Sequence, residues 1–331
     1  MQLPTPDDVL AASRRIAAGR VVRTPMLRHP LLDELAGGTV LLKAEPLQRT
    51  GSFKLRGATN AVLQLGEAER RAGVVTHSSG NHGQALACAA AAVGARATVV
   101  MPADAPRIKA ESTARWGAEI VLYDRAREDR EAISAGIAAD TGAALIPPYD
   151  HPHVIAGQGT AALELAEDAA AAGLPRMDAL LVCTGGGGLI GGSALAMEAV
   201  SPGTRVYAVE PEGWDDTGRS LRAGHRERAP GGSTLCDALL APMPGVLTFA
   251  VNQPRLAGGV AVSDADVLAA MAFAFNHLKL VVEPGGAVCL AALLAGRFRA
   301  EGRVVGAVLS GGNVDPAVFA GALAPGKESR S

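Results

Sequence analysis

The chain has 331 residues, of which 48% are hydrophobic, and its 31 basic and 33 acidic side chains give a formal net charge of -2. This apolar content is sufficient for two modest cores, and mixed charges without a basic stripe argue against binding to nucleic acid or to a membrane surface. The first ten residues do not resemble a signal peptide and no apolar stretch is long enough for a bilayer, so we expect a cytoplasmic protein. Four cysteines without CxxC spacing indicate free thiols in a reducing compartment: Cys88, Cys183, Cys236 and Cys289.

Apolar runs typical of buried strands alternate with helical patterns along the chain. The predicted strands are 40–44, 73–76, 97–101, 119–122, 179–183, 205–209 and 304–309. The predicted helices are 83–93, 106–116, 127–139, 154–172, 189–200, 264–279 and 286–294. Short apolar strands separated by helices predict an α/β fold with open, twisted parallel sheets covered by helices on both faces. Residues 223–244 carry scattered Gly and Pro and are predicted to form a long irregular excursion near the site.

Glycine-rich turns follow several of the predicted strands. They lie at 78–83, 185–188, 283–286 and 310–313. Ligands of open α/β sheets bind at the carboxyl ends of the strands. Several such turns in one chain therefore predict a single ligand that is held from several sides.

The tetraglycine Gly185 to Gly188 is the strongest candidate for phosphate binding. It follows a predicted strand and precedes a predicted helix. Consecutive glycines let backbone N–H groups converge on an anion, and the helix N-terminus adds partial positive charge. The alternative is a turn that needs glycine only for tight strand–helix packing, although four glycines are costly without a ligand.

A second interpretation of the same loop is a nicotinamide dinucleotide site. Gly186, Gly188 and Gly191 match the GxGxxG pattern, and Glu210 ends the next predicted strand, where an acidic residue binds the ribose in such sites. The pattern is weak evidence, because a run of glycines produces it trivially.

Lys54 follows a Gly-Ser turn and is the candidate nucleophilic amine. If Ser52 is the N-cap, Lys54 projects from the first turn of a helix. The positive end of the helix dipole disfavours a charged amine there and lowers its pKa, which suits a Schiff-base lysine. From composition alone, an ordinary surface lysine is the favoured interpretation.

The segment Ser52 to Ala58, Ser-Phe-Lys-Leu-Arg-Gly-Ala, resembles the lysine motif of fold-type II pyridoxal-phosphate enzymes, in particular the threonine/serine dehydratase and serine racemase group. The resemblance extends from about Arg23 to Asn313 and includes further motifs in the family's order. These are Ser-Ser-Gly-Asn-His-Gly-Gln (78–84), Val-Ile-Ala-Gly-Gln-Gly-Thr (154–160), the tetraglycine, Val-Glu-Pro (209–211) and Ser-Gly-Gly-Asn (310–313). With five motifs in order, the nicotinamide interpretation becomes remote.

The resemblance implies a role for each matching residue. It implies that Lys54 is the Schiff-base lysine and main catalytic residue, and that Ser79 is the second proton-handling group used by racemases. It implies contacts to pyridoxal 5'-phosphate from Phe53, Lys54, Asn81, Gly185, Gly186, Gly187, Gly188 and Ser310. It implies contacts to the substrate from Ser78, Asn81, His82 and Arg130. Asn81 and His82 could instead only cap a helix, and His82 could act through its backbone alone.

The resemblance also implies a division into two domains and a homodimer. We expect residues 1–72 and 142–331 to form a large cofactor-binding domain. Residues 73–141 are expected to form a smaller, mobile domain that closes over the substrate and excludes water.

Two carboxylates near the cofactor loop suggest a cation site. Glu210 and Asp216 lie six residues apart, with the backbone carbonyl of Trp214 between them. Oxygen ligands suit Mg²⁺ or Ca²⁺ rather than zinc. The arrangement resembles the metal site of serine racemase and hydroxyaspartate dehydratase relatives, and the alternative is a solvated acidic loop.

The implied reaction is the removal of water and then ammonia from a small β-hydroxy amino acid. We expect an ammonia-lyase that converts L-threonine or L-serine to a 2-oxo acid. The alternatives are dehydration of threo-3-hydroxyaspartate or of an aryl-serine, and serine racemisation, because these reactions share every motif quoted above.

Overall fold

The computed structural model describes residues 2–17, 19–78, 80–105 and 107–324. Its strands are β1 (Met26–Leu27), β2 (Thr39–Ala44), β3 (Val74–His77), β4 (Ala97–Pro102), β5 (Glu119–Tyr123), β6 (Ala144–Leu145), β7 (Ala179–Cys183), β8 (Arg205–Pro211), β9 (Leu256–Val262) and β10 (Val304–Leu309). Its helices are α1 (Pro6–Ile16), α2 (Pro30–Ala36), α3 (Lys54–Val62), α4 (Glu67–Ala72), α5 (Asn81–Ala91), α6 (Arg107–Ala114), α7 (Arg130–Thr141), α8 (Pro152–Ala171), α9 (Gly188–Val200), α10 (Asp216–Ala223), α11 (Val246–Asn252), α12 (Asp264–Phe273), α13 (Pro284–Leu294) and α14 (Pro316–Leu323).

The strands form two sheets. The larger has the order β1-β2-β10-β7-β8-β9, and the smaller has the order β5-β4-β3-β6. Strands β1 and β2 are antiparallel, and the other paired neighbours are parallel. The predicted α/β fold with two parallel sheets is therefore confirmed. Because parallel strands end at the same edge, the turns after β7 and β10 meet at one side of the large sheet.

Several elements differ from the sequence prediction. Strand β9 was not predicted, because Gly258 and Gly259 interrupt its apolar pattern. The helix predicted at 264–279 ends at Phe273 and continues as a π-helical turn, Ala274–Leu278. The predicted irregular excursion at 223–244 contains a short 3-10 helix, Asp237–Leu239, and is otherwise without regular structure.

Apolar cores cover both faces of the large sheet. Helix α13 is buried from Pro284 to Leu293 against one face, and α8 and α9 pack on the other. Helix α3 shares a third core with α5 and β3, so it lies between the layers of the two sheets. Within the described residues, no helix is both long and apolar enough to span a bilayer.

The small sheet takes three of its strands from the range predicted to form the mobile domain. Strands β3, β4 and β5 lie within 73–141, and β6 follows immediately after this range. That residues 73–141 close over the substrate as a unit stays a prediction.

A buried network of charges fixes the start of α3. The Arg56 guanidinium is fully buried and forms ion pairs at 2.8 Å with both Glu45 and Glu164. Lys43, also fully buried, pairs with Glu164 at 2.7 Å and donates to the backbone oxygen of Thr24 at 2.6 Å. Each buried charge has a partner of opposite sign, as low-dielectric surroundings require. The network ties α3 to β2 and α8.

Replacing Arg56 with Met should destabilise the protein by about 3 kcal/mol, because Glu45 and Glu164 would remain buried without their shared cation. The shift of the urea unfolding midpoint measures the effect. Arg71→Met is the matched control, since Arg71 forms an exposed i,i+4 ion pair with Glu67, and it should change stability by less than about 0.5 kcal/mol. Equal shifts for the two variants would show that the buried network does not stabilise the fold.

Candidate functional site

The turn that carries Lys54 is joined to the end of β10. Ser52 forms an isolated antiparallel bridge with Gly311, and the N–H of Phe53 donates to the oxygen of Ser310 at 3.0 Å. This pairing holds Ser52 in the bridge, so α3 begins one residue later than predicted. Phe53 is its N-cap residue, and the predicted capping by Ser52 is wrong. The Ser52 hydroxyl is buried and has no hydrogen-bond partner within the described ranges.

The Lys54 amine lies in a cleft between this turn and the segment that precedes α8. Its Nζ donates to the backbone oxygen of Pro148 at 2.7 Å and lies 5.1 Å from the centroid of the Phe53 ring. Burial lowers the pKa of Lys54 to about 8, against an opposing effect of Glu283. The lowered pKa was expected, and burial is its largest cause.

The tetraglycine joins β7 to α9, as predicted. Gly188 is the first residue of α9, and Gly187 has a φ of +90°, which a larger residue rarely adopts. Within the described part of the chain, the backbone N–H groups of Gly185, Gly186 and Gly187 donate to no protein acceptor. Unpaired N–H groups at a helix N-terminus form a site for an anion such as phosphate.

The Tyr149 ring explains why the loop needs a glycine at position 186. A Cβ added to Gly186 would lie 2.3 Å from two carbons of that ring, and one added to Gly188 would lie 3.1 Å from the Tyr149 backbone. No side chain fits in this space. The loop is thus covered on one side by Tyr149, a residue that the sequence analysis did not single out.

Ser310 lies at the carboxyl end of β10 and is largely buried beside the thiol of Cys183. The Cys183 sulfur lies within hydrogen-bond distance of that of Cys289, at 3.5 Å, and the two cysteines form no disulfide. All four cysteines are free and buried, which confirms that part of the sequence prediction. Ser310 is therefore placed close to both the Lys54 turn and the start of the tetraglycine loop.

Asn81 links three of the predicted glycine-rich turns. Its Nδ2 donates to Glu283 at 2.7 Å, and its Oδ1 accepts from Nδ2 of Asn313 at 2.7 Å. Ser78, in the same loop, accepts from the N–H of Gly80 at 3.3 Å. Ser79 lies outside the described residues, so its proton-handling role stays a prediction.

His82 is buried close to Lys54 with one ring nitrogen already bonded. Its Nε2 lies 2.9 Å from the backbone oxygen of Ile146, and burial, with the nearby Lys54, lowers the pKa of the ring to about 3. The ring is therefore neutral at pH 7, and the bond to a carbonyl requires the proton on Nε2. Nδ1 is then an acceptor and cannot bind a carboxylate. This favours the alternative in which the loop holds a substrate carboxylate through its backbone.

Arg130 begins α7 and lies on the small-sheet side of the cleft. Burial, followed by the charge of Arg130, lowers the pKa of His77, the last residue of β3. His77 Nδ1 lies 3.0 Å from the hydroxyl of Ser134, one turn along α7. Burial raises the pKa of the Tyr149 phenol, and the charge of Arg130 opposes this rise. His77 therefore packs against α7, the helix that begins at Arg130, directly before the loop that begins at Ser78.

The proposed cation ligands lie together behind the tetraglycine loop. Glu210 is fully buried and accepts from the N–H groups of Thr217 at 2.8 Å and Gly218 at 2.9 Å. Asp216 is also fully buried, and neither of its carboxylate oxygens has a hydrogen-bond partner among the residues that the structure describes. Burial and the nearby Asp216 raise the pKa of Glu210 to about 8, and burial raises that of Asp216 to about 7. Trp214 lies in the intervening turn, where its ring N–H donates to the oxygen of Gly232 at 3.1 Å.

This geometry fits a cation better than a ribose. Both carboxylate oxygens of Glu210 accept hydrogen bonds from the first turn of α10. The side chain therefore does not extend outward to bind a ribose, as the acidic residue of a dinucleotide site does. The unpartnered Asp216 carboxylate requires a proton or a cation. Among the described residues, no group of three or more His, Cys, Asp or Glu side chains is arranged to hold a metal, so backbone or water oxygens would complete the coordination.

Sequence reasoning missed the residues that hold the tetraglycine loop from outside. These are Tyr149, Asp150, Thr248 and Asn252. Thr248 and Asn252 lie on α11, which was not predicted, and Tyr149 follows two prolines in an irregular segment. The only available signal was their position, since Tyr149 and Asp150 directly precede the Val-Ile-Ala-Gly-Gln-Gly-Thr helix.

Comparison with known proteins agrees with this site. Residues 18–311 match the family described as pyridoxal-phosphate dependent enzymes. The chain is 44% identical to the L-threo-3-hydroxyaspartate ammonia-lyase of Saccharomyces cerevisiae, covering 99% of this chain and 98% of that protein. It is 42% identical to the serine racemase of Schizosaccharomyces pombe, covering 95% of each. The structure of the T.th. threonine deaminase matches with a TM-score of 0.87 and 44% identity, covering 94% of this chain and 99% of that one. The chain therefore belongs to the fold-type II pyridoxal-phosphate-dependent enzymes, in the group of ammonia-lyases and serine racemases.

Proposed function

We propose that this protein is an ammonia-lyase that dehydrates a small β-hydroxy amino acid, with L-threo-3-hydroxyaspartate as its preferred substrate. The observation that carries the reaction class is the Lys54 amine, whose pKa is lowered to about 8 in a cleft beside the tetraglycine loop. The products are a 2-oxo acid and ammonia. A cytoplasmic homodimer is retained as a prediction.

The residues present fit pyridoxal phosphate. The unpaired N–H groups of the tetraglycine would bind its phosphate, and Lys54 would bind its aldehyde carbon. Asn81 would reach its ring hydroxyl and Ser310 its pyridine nitrogen, with Phe53 beside the ring. When bound, the cofactor supplies an electron sink for the pair of electrons released at the substrate Cα.

Lys54 is suited to carry protons in both directions. An amine with a pKa of about 8 is partly neutral near pH 7, so it accepts the Cα proton, and the resulting ammonium donates a proton to the departing β-hydroxyl. Ser310 presents a neutral side chain to the ring nitrogen, where an aspartate would keep that nitrogen protonated. Charge would then remain near Cα, which favours expulsion of the β-hydroxyl.

The preference for a dicarboxylate rests on Arg130. This cation begins α7, whose Ser134 contacts His77 directly before the loop that begins at Ser78, and its charge acts on both His77 and Tyr149. A guanidinium binds a carboxylate through two parallel hydrogen bonds, and hydroxyaspartate carries a second carboxylate whereas serine and threonine do not. Related proteins named as hydroxyaspartate ammonia-lyases are 44% identical to this chain.

Dehydration of L-threonine or L-serine is the second candidate. It is favoured by the likeness to the T.th. threonine deaminase at 44% identity. Racemisation of serine depends on Ser79 and stays a third, untested alternative.

We further propose that Mg²⁺ or Ca²⁺ binds to Glu210 and Asp216, with the backbone carbonyl of Trp214 as a further ligand. The two fully buried carboxyls, one of them unpartnered, support this assignment. The ion would neutralise two charges that otherwise require protons. Its role would be structural, because it would hold the start of α10 against β8.

Replacing Lys54 with Ala should abolish the visible absorbance of the bound cofactor and lower kcat by orders of magnitude, because this amine both binds the cofactor and moves the proton. In the wild type, the rate at which the apoenzyme captures pyridoxal phosphate should rise with pH and level off above about 8, since only the neutral amine reacts. Lys279→Asn is the control, because Lys279 is exposed and has a φ of 59°, which Asn tolerates. Near-normal turnover in Lys54→Ala would contradict the mechanism.

Replacing Arg130 with Gln should raise the KM for L-threo-3-hydroxyaspartate by on the order of 10-fold and leave the KM for L-serine within about twofold, because only the first substrate has a second carboxylate. Both KM values are determined from the rate of release of the 2-oxo acid. Arg127→Gln is the control from the same segment, since Arg127 is exposed and pairs with Asp124. If L-serine or L-threonine is the better wild-type substrate and both substrates respond alike to Arg130→Gln, the dicarboxylate proposal fails.

Chelation with EDTA should lower Tm, and Mg²⁺ or Ca²⁺ should restore it. The folded-state pKa values of Glu210 and Asp216, about 8 and 7, lie above those of unfolded carboxyls. The chelated protein should therefore lose stability progressively as the pH rises from about 4, where unfolded carboxyls ionise, and the loss should level off once the pH passes the folded-state values of about 7 and 8. The gain from the cation should grow over the same range. Asp216→Asn should remove the response, whereas Asp215→Asn, in the adjacent position, should retain it. An unchanged Tm after exhaustive chelation at pH 8 would exclude the site.

A further inference from the structure

Helix α11 holds the outer side of the tetraglycine loop through two side chains. The Thr248 hydroxyl donates to the oxygen of Gly186 at 2.7 Å, and Nδ2 of Asn252 donates to the oxygen of Gly187 at 3.2 Å. Both side chains are almost completely buried. The fit is tight, because a Cβ added to Gly187 would lie 2.9 Å from Nδ2 of Asn252 and 3.0 Å from Cβ of Thr248.

These two bonds determine where the loop's N–H groups point. In a trans peptide the C=O and the following N–H point in opposite directions across one rigid plane. A Gly186 oxygen held against α11 therefore turns the N–H of Gly187 away from α11. By the same geometry, the N–H of Gly188 points away from α11, because the Gly187 oxygen accepts from Asn252 and also from the N–H of Gly191 at 3.0 Å. Glycine peptides rotate easily, so loss of the Thr248 bond would free the Gly186 peptide, and loss of the Asn252 bond would leave the Gly187 peptide held only by the first turn of α9.

Helix α11 is itself held by the segment that contacts Lys54. The Asp150 carboxylate accepts from the N–H of Val246 at 3.0 Å and from that of Thr248 at 2.9 Å. A Cβ added to Gly245 would lie 2.3 Å from the Asp150 carboxylate, so no side chain fits at that position. Asp150 follows Tyr149, which covers Gly186, and Pro148, which accepts from Lys54. The segment 148–150 thus connects the amine, the loop and α11.

We propose that Thr248 and Asn252 are positioning residues for the phosphate group of the cofactor, and that they set its binding affinity by orienting the N–H groups of Gly187 and Gly188. The inference rests on the proposed function, which assigns the tetraglycine as the phosphate site. Neither residue touches the ligand. Each acts through a backbone carbonyl on the opposite side of the loop, so the effect is specific to the phosphate and leaves the rest of the cofactor unaffected.

The test compares pyridoxal phosphate with pyridoxal, which lacks the phosphate, as ligands of the apoenzyme. Thr248→Val removes the hydroxyl with little change of shape and should raise the Kd for pyridoxal phosphate by on the order of 10-fold, leaving the Kd for pyridoxal within about twofold. Asn252→Ala should act in the same way, and Thr248→Ser should restore wild-type affinity. Absorbance titration gives both constants, and the ³¹P chemical shift of the bound phosphate should change in Thr248→Val and return in Thr248→Ser.

Thr204→Val is the matched control. Thr204 is a buried threonine that donates to the backbone oxygen of Met177 at 2.7 Å, ahead of the amino-terminal ends of β7 and β8, whereas the loop follows the carboxyl end of β7. It should lower stability without changing the ratio of the two dissociation constants. If Thr248→Val does not fold, Asn252→Ala serves as the variant with weakened binding of pyridoxal phosphate, and Thr248→Ser as the variant with normal binding.

The outcomes separate this inference from the function on which it rests. If the wild type binds pyridoxal as tightly as pyridoxal phosphate, the tetraglycine is not the phosphate site and the proposed function fails at that point. If the wild type prefers pyridoxal phosphate but the variants weaken both ligands equally, or neither, the positioning role is wrong and α11 is only structural.

Discussion

The buried guanidinium of Arg56 is the interaction on which the placement of the site depends. It lies two residues after Lys54 and pairs with Glu45, which follows β2, and with Glu164 of α8. A charge without solvent is stable only when its partners are fixed, so these pairs hold the first turn of α3 in one position. The bridge between Ser52 and Gly311 then sets the direction from which the chain enters the helix. The amine is therefore positioned by the fold before any ligand arrives.

The other parts of the site are joined to Lys54 by side chains that cross between elements. Asn81, from the small-sheet side, contacts Glu283 at the start of α13 and Asn313 after β10. Asp150 and α11 make a comparable connection to the tetraglycine loop. Side-chain hydrogen bonds therefore join the turns at 78–83, 283–286 and 310–313 to one another, and the tetraglycine loop to α11. This arrangement suits a single ligand that contacts several turns, which is the kind of site that the sequence predicts.

The fold class and the main turns were predictable because they rest on local patterns. Apolar strands, glycine clusters and the Ser-Phe-Lys motif are visible in the sequence, and the tetraglycine lies where they placed it. The shift of the α3 N-cap from Ser52 to Phe53 was not predictable, because it follows from a bridge to Gly311 more than 250 residues later. Tyr149, Thr248 and Asn252 were missed for the same reason, since their roles arise from tertiary contacts. Strand β9 was missed because Gly258 and Gly259 hide its pattern.

The contact between Tyr149 and Gly186 limits how this enzyme could be redesigned. Tyr149 lies within range of the charge of Arg130, the residue proposed to set the substrate range, and its ring also fills the space above Gly186. A smaller residue at 149 would enlarge the pocket and, at the same time, remove the surface on which the loop rests. Substrate range and cofactor retention would then change together. A library that varies position 149 should therefore include small side chains at position 186, so that the loop regains a packed neighbour.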